Sequence, residues 1–386
     1  MSTLKVSAIN NAAASSGGLA IDSSGVVTGG LPSPNRNLLY NGAMQVAQRG
    51  TSSTTVTSGY FTADRWYWNQ SGSGADGITR AESIESDAPS GSGFRKSLKV
   101  LITAGASISA GTLGVIQQSL EGQDVQRIAK GTSDAQQLTL SFWVKSNVTG
   151  TYICELTDAD NTRSVSASYS VSASGTWEKK TITFPADTTG AFDNDNALSL
   201  TAGFWLYAGT TYTSGTLATT WASTTSANRA VGQTSLAAAT NNYWQITGVQ
   251  LEVGPTATGF EFKSYGTELA ECQRYYVKIQ DAEYIRFGIG FSHSTTAGRV
   301  LVPLPVTMRA TPSSMDTSGT AANYAVSHGS DSLTALSAVP SLGTNTSGKD
   351  RVTVQYSVSS GLTAGGASTL IANNTTSAYL GFSAEL

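Results

Sequence analysis

The chain has 386 residues, 13% of them charged, 40 glycines and a formal net charge of −3. Charge so sparse and balanced leaves no basic field to hold phosphates, so nucleic acid is not an expected partner. No run approaches the roughly 20 apolar residues of a membrane helix.

The composition suits β structure with many turns, because Thr fits a pleated surface while Gly and Ser supply turn conformations. Seven Trp, fifteen Tyr and eleven Phe argue for packed cores rather than disorder. The length fits two domains plus a leader. Residues 1–36 are the leader, rich in small residues and closed by Gly29-Gly30-Leu31-Pro32-Ser33-Pro34, a linker signal. It cannot bury a core alone. Met1 to Gly30 lacks the basic and apolar regions of a signal peptide.

Residues 37–263 carry most of the strand patterns. Arg65 to Trp68, Ser97 to Ile102, Gly114 to Ser119, Gln137 to Lys145, Thr151 to Leu156, Trp177 to Phe184, Gly203 to Ala208 and Tyr243 to Val253 are predicted strands. In Leu138 to Lys145 the apolar Leu138, Leu140, Phe142 and Val144 alternate with Thr139, Ser141, Trp143 and Lys145. Such strands, separated by Gly, Ser and Asp turns, predict an antiparallel jelly-roll-like β-sandwich. Tyr212 to Thr240 breaks the pattern and reads as a long loop or insertion.

Residues 264–276 predict a short helical junction, with Leu269, Cys272 and Tyr276 on one stripe. Residues 277–386 form a second, smaller distal β domain. Its predicted strands are Val300 to Val302, Arg351 to Val358 and Ala378 to Phe382. Pro303, Pro305 and Pro312 confine the intervening chain to an edge or loop. The fold class is therefore all-β.

Catalytic patterns are missing from the sequence. His293 and His328 belong to no metal-binding spacing, and no nucleophile elbow or phosphate loop occurs. Cys154 and Cys272 form no metal or disulfide framework; Cys154, in an apolar run, reads as a buried thiol. Glu155, Asp158, Asp160, Asp187, Asp193 and Asp195 are the carboxylates from which a glycosidase pair would have to come. Asp193 to Asn196 reads as a solvated turn, with an oxygen-rich calcium loop as the alternative. No catalytic residue, metal site or cofactor is assigned. Sugar rings stack apolar faces on aromatic side chains, so Tyr212 and Trp221 in the long loop and Tyr284 at the start of the distal domain are candidate glycan platforms. Burial in a core or between subunits is the alternative for each.

Several phrases resemble bacteriophage tail fibres and related virion structural proteins. They are Asn37-Leu38-Leu39-Tyr40-Asn41-Gly42-Ala43-Met44-Gln45-Val46-Ala47-Gln48-Arg49-Gly50, Thr62-Ala63-Asp64-Arg65-Trp66, the segment from Gln250-Leu251-Glu252-Val253-Gly254 to Cys272-Gln273-Arg274-Tyr275-Tyr276, and Pro303 to Pro312. The first residues resemble virion leaders of marine and cyanobacterial phages. The order of the sandwich strands also resembles jelly-roll carbohydrate-binding modules. The resemblance implies a homotrimeric fibre or spike, assembled in the host cytoplasm and carried on the virion. Residues 1–36 would hold it to other tail or capsid proteins. Its work would be adhesion to a host cell-surface glycan, with the distal domain placed to touch the cell. A head decoration or tail-knob protein without a receptor role is the first alternative. A polysaccharide depolymerase is the second.

Overall fold

The computed structural model describes residues 35–329, 331–343 and 346–386, with the backbone of three short antiparallel strands, β1 Ala8–Asn10, β2 Gly18–Ile21 and β3 Val27–Thr28. The expected attachment leader lies almost wholly outside the described residues.

The sandwich strands are β4 Ser52–Ser53, β5 Gly59–Tyr60, β6 Tyr67–Ser71, β7 Thr79–Glu85, β8 Ser97–Ala104, β9 Leu113–Glu121, β10 Leu138–Ser146, β11 Gly150–Asp158, β12 Arg163–Val171, β13 Glu178–Phe184, β14 Leu198–Ala208, β15 Ala222–Ser223 and β16 Tyr243–Val253. They form a six-stranded sheet in the order β13-β10-β16-β8-β7-β4. A seven-stranded sheet in the order β15-β12-β11-β14-β9-β6-β5 faces it. Every pairing within these two sheets is antiparallel, and the fold is an all-β sandwich. Alternate residues of both sheets meet in one core that includes Leu140, Phe142, Leu156, Phe204, Trp244 and Leu251.

Two expectations change at the residue level. Arg65 does not begin a strand: it sits in a turn at φ 72, and β6 starts at Tyr67. That turn sends Trp66 and Trp68 into the core while Tyr67 stays half-buried. Strands β7 and β12 were not expected, because their patterns are masked by polar residues. In β7 the inward positions include Arg80 and Glu82, a buried pair 3.1 Å apart; the Arg80 guanidinium lies 4.3 Å from the centre of the Trp68 ring. In β12 serines 164 and 166 alternate with the core residues Val165, Tyr169 and Val171.

The junction helix spans Tyr265–Gln273, capped by Ser264, whose side chain accepts from the Thr267 N–H. Tyr276 is not on its stripe; it begins strand β17 Tyr276–Ile279. The buried helical residues are Glu268 and Cys272. Glu268 accepts from the Asn41 N–H, so the helix is keyed to the sandwich by a carboxylate as well as by apolar contact.

The distal strands continue as β18 Arg286–Ser292, β19 Ala297–Pro303, β20 Ser314–Thr317, β21 Tyr324–His328, β22 Ser332–Ala335, β23 Ser341–Leu342, β24 Arg351–Ser357, β25 Ala367–Ala372 and β26 Leu380–Ser383. A seven-stranded sheet, β22-β21-β25-β18-β19-β24-β23, and a three-stranded one, β17-β26-β20, enclose a second core with Val302, Tyr324, Val354, Leu370 and Phe382. Strands β18, β21 and β25 were not expected, since Gly288, Gly290 and small residues interrupt their apolar runs.

Between sandwich and distal domain lies a seam of ion pairs. Glu121 at the end of β9 accepts from Arg274 at 2.8 and 2.9 Å and from the Tyr275 hydroxyl at 2.6 Å. Glu385 accepts from Arg65 and, at 3.2 Å, from Arg49. Arg309 donates to the Ala384 carbonyl at 2.7 Å and to the Asn196 carbonyl at 2.8 Å, and Asn196 donates back to the Arg309 carbonyl. Arg65 and Arg49 also lie 3.4 and 3.6 Å from the ring centres of Tyr275 and Tyr276.

Candidate functional site

The outer face of the sandwich's seven-stranded sheet is only partly covered. Period-two alternation places Tyr67, Gln117, Gly203, Glu155 and Ser166 in one row across five neighbouring strands. Ser119, Thr201, Thr157 and Ser164 form the next row. On the other side of the first row lie Asn69, Val115 and Trp205.

The segment after β14 folds over one end of this face. Tyr212, Leu217 and Ala230 pack on Leu113, Val115, Ile153 and Trp205, so the expected long loop is a lid with its own small core. Arg229 carries the lid back to the sheet. Its guanidinium donates to both oxygens of Glu155, at 2.8 and 2.9 Å, a two-pronged geometry that fixes orientation as well as charge. Burial pulls the Arg229 guanidinium down, but the hydrogen bonds and charge of Glu155 outweigh it and hold it above its ordinary range. Trp205, fully buried, donates its indole N–H to Glu155 at 3.1 Å.

Beyond the lid the polar row holds a small, half-enclosed depression of about 30 Å³. Asn69 donates to Gln117 at 3.1 Å, and both side chains are half-buried. Thr157, Thr201 and the edge of Arg229 line the same depression. Its floor is notched at Gly203. A Cβ there would meet Val115 at 3.2 Å and nothing else closer than 3.7 Å. Tyr67 closes the far end, its ring 5.0 Å from Tyr60 in an edge-on pair. Amides, hydroxyls, a guanidinium and an aromatic edge on a rigid sheet are the groups that read sugar hydroxyls.

The three sequence-predicted platforms fall in three places. Tyr212 belongs to the lid, its ring 5.4 Å from Trp205. Trp221 packs at the rim of the sandwich core, donates to the Pro185 carbonyl at 2.9 Å and lies 5.1 Å from the Lys130 ammonium. Tyr284 is exposed on the distal domain at φ 61. Gln117, Asn69, Gly203 and the Glu155–Arg229 pair escaped the sequence reading. The available signal was a glycine inside the apolar strand Thr201 to Trp205 and the polar alternation of Val115, Gln117 and Ser119.

The carboxylates singled out from the sequence are engaged in ion pairs and turns. Asp158 accepts from Lys130 at 2.6 Å, and Asp187 accepts from Arg163 at 2.8 and 3.1 Å. Asp160 accepts from the Asp193 N–H, and Asp195 from the Ala197 N–H. Among the described residues no group of three or more His, Cys, Asp or Glu is placed to hold a metal ion. Cys154 and Cys272 are buried free thiols, pushed up by burial.

No family model matches the sequence, and no curated protein matches it. Among solved structures, the chain is similar to the enzymatically active domain of bacteriophage CBA120 tailspike protein 4, at 14% identity over 58% of this chain and TM-score 0.32. It spans 22% of that chain. It is also similar to TmCBM61 in complex with beta-1,4-galactotriose, at 9% identity over 56% of this chain and 99% of that one, TM-score 0.30. A family 11 carbohydrate-binding module from Clostridium thermocellum, in complex with a mixed-linked tetrasaccharide, matches at 12% identity over 54% and 98%, TM-score 0.28. Likenesses of that size do not place the chain in a family.

Proposed function

We propose that the chain is a glycan-binding adhesin of a phage virion, a fibre or spike component, working as a homotrimer and holding a host-surface polysaccharide without cleaving it. The observation that carries the binding reading is the polar row from Tyr67 to Arg229, where amides, hydroxyls and the Glu155–Arg229 pair line a small depression notched at Gly203. A polar row on a sheet face suits a chain of sugars lying across it, each making few contacts. Weak contacts of this kind gain strength when several copies engage one polymer. The absence of hydrolysis is part of the proposal. It is supported by the commitment of Glu155 to Arg229 and Trp205, which leaves the row without a second carboxylate to act as acid or nucleophile.

The test is binding of host capsular or cell-wall polysaccharide by affinity electrophoresis. The wild-type chain is expected to be retarded and to release no new reducing ends. Gly203→Val, which fills the notch, and Gln117→Ala should each weaken retardation about tenfold, the loss of a contact worth roughly 1.4 kcal/mol. Undiminished binding by Gly203→Val would move the site elsewhere, and new reducing ends abolished by a carboxylate substitution would make the protein a depolymerase.

A further inference from the structure

The distal domain carries an apolar face that the glycan reading does not use. In its seven-stranded sheet the inward residues Val300, Val302, Val352, Val354, Val326 and Leu370 fill the core. The opposite face should be polar if it met only water. Instead Ile289, Leu301, Leu333 and Phe291 stand out from it, 71%, 45%, 49% and 43% exposed. Of nine large hydrophobic side chains exposed among the described residues, these are four, and a fifth, Tyr284, borders the same groove as Leu333.

Strand β18 is the middle strand of the seven, and its pattern is inverted. Its core-side positions include Gly288 and Gly290, where a Cβ would strike the backbone of Leu301 and Arg299. Its outward positions are Ile289 and Phe291. A central strand that spends its large residues on the outside has the pattern of a strand covered on both faces.

We propose that this face is where copies of the chain pack against one another. The inference rests on the oligomeric reading above and locates its interface. The apolar side chains expose on the order of 500 Å², the size at which a patch marks an interaction site. Their polar neighbours extend it toward the ~800 Å² per partner of a stable interface. Branched aliphatic side chains offer nothing to sugar hydroxyls, whereas alternating rows on a sheet interdigitate with the rows of another sheet.

The charges bordering the apolar patch fit a copy related by rotation, with Asp331 and Arg286, 3.9 Å apart, on one side and Arg299 on the other. Asp331 lies at the β21–β22 turn and Arg299 on β19, at one level along the strands, since His328 pairs with Ser368, Ser368 with Gly290, and the next residue, Phe291, with Arg299. A neighbour turned about an axis parallel to the strands brings its Asp331 margin to the Arg299 margin of the first copy.

Light scattering on the full chain is the test, with Ile289→Asp and Leu301→Asp beside wild type. Wild type should be an oligomer, and each variant a monomer with unchanged circular dichroism and, having lost the joint engagement of one polymer by several copies, weaker polysaccharide retardation. Should the aspartates disturb folding, Leu301→Cys provides an independent readout. The two native thiols are buried, so a short bismaleimide should link copies through position 301 within minutes. A monomeric wild type overturns both the oligomer and the interface. An oligomer that survives the aspartates, or fails to cross-link at 301, overturns the interface alone.

Discussion

Asp64 accepts from the Gln48 N–H at 2.9 Å and from the Gln48 side-chain amide, yet burial dominates and its carboxyl is pushed up to about 6. Burial likewise raises Glu82, Glu268 and Asp124. A raised carboxyl binds its proton more tightly folded than unfolded, so its stabilisation is fully present below the unfolded value and is lost as pH rises from there through the folded value. From its ordinary value of 3.8 to about 6, Asp64 alone shifts stability by about 3 kcal/mol. At Asp87, Glu178 and Asp187 burial is outweighed by hydrogen bonds and nearby cations, which hold these groups below their ordinary range; their contribution is lost only in stronger acid. Only about 0.8 kcal/mol of the Asp64 shift falls between pH 5.5 and pH 7.5, so calorimetry should find a Tm about one to two degrees higher at pH 5.5 than at pH 7.5, and Asp64→Asn should remove most of that difference. A Tm that falls on mild acidification would contradict this. None of it was legible in the sequence, where Asp64 is one residue of a strand-like phrase; its environment comes from Gln48 and from a helix more than 200 residues away.

The elements that sequence periodicity found best are those with clean alternation. Strand β16 runs Tyr243–Val253, with the expected bounds, and β10 runs Leu138–Ser146. Those it missed, β7 and β12, hide their period behind inward charges or outward serines. The stretch from Tyr212 to Thr240 has no periodicity because its work is done by single side chains: Tyr212 and Leu217 against Trp205, Arg229 against Glu155. That arrangement makes the lid separable. Arg229→Ala leaves Glu155 buried without its cation, at a cost of about 3 kcal/mol, and should free the lid before the sheet. Limited proteolysis should then cut between residues 212 and 228 at least tenfold faster than in wild type while the rest of the sandwich stays intact. Equal cleavage rates would mean that the apolar contacts alone hold the lid down.

At the scale of the whole molecule, the phrases that resemble tail-fibre proteins converge on the seam. Gln48, Arg49 and Arg65 come from the first two phrases, Arg274, Tyr275 and Tyr276 from the third, and Arg309 from the last; each holds a seam contact. The resemblance therefore reports how two β bodies are joined, and the polar row at Gln117 and Gly203 lies in sequence between the phrases. This is why the architecture could be read from the chain and the candidate site could not. Glu385→Ala should cost about 3–5 kcal/mol by leaving Arg65 buried without a carboxylate. In a scanning calorimeter the single wild-type transition should split, with the smaller distal body melting first. A single transition shifted by less than a degree would show that apolar contacts and the Glu121 cluster suffice.

The pairing of Arg65 with Glu385 spans 320 residues, and distance along a chain is also time on a ribosome. At ~5–20 residues per second, roughly 15–60 s separate the emergence of the two partners. Throughout that interval the nascent sandwich must either keep its guanidinium in water, with the turn at Arg65 unclosed, or bear an unpaired cation in its wall. The sandwich is thus finished by a segment made some 320 residues later, and a chain interrupted between them carries a charged marker that the paired one conceals.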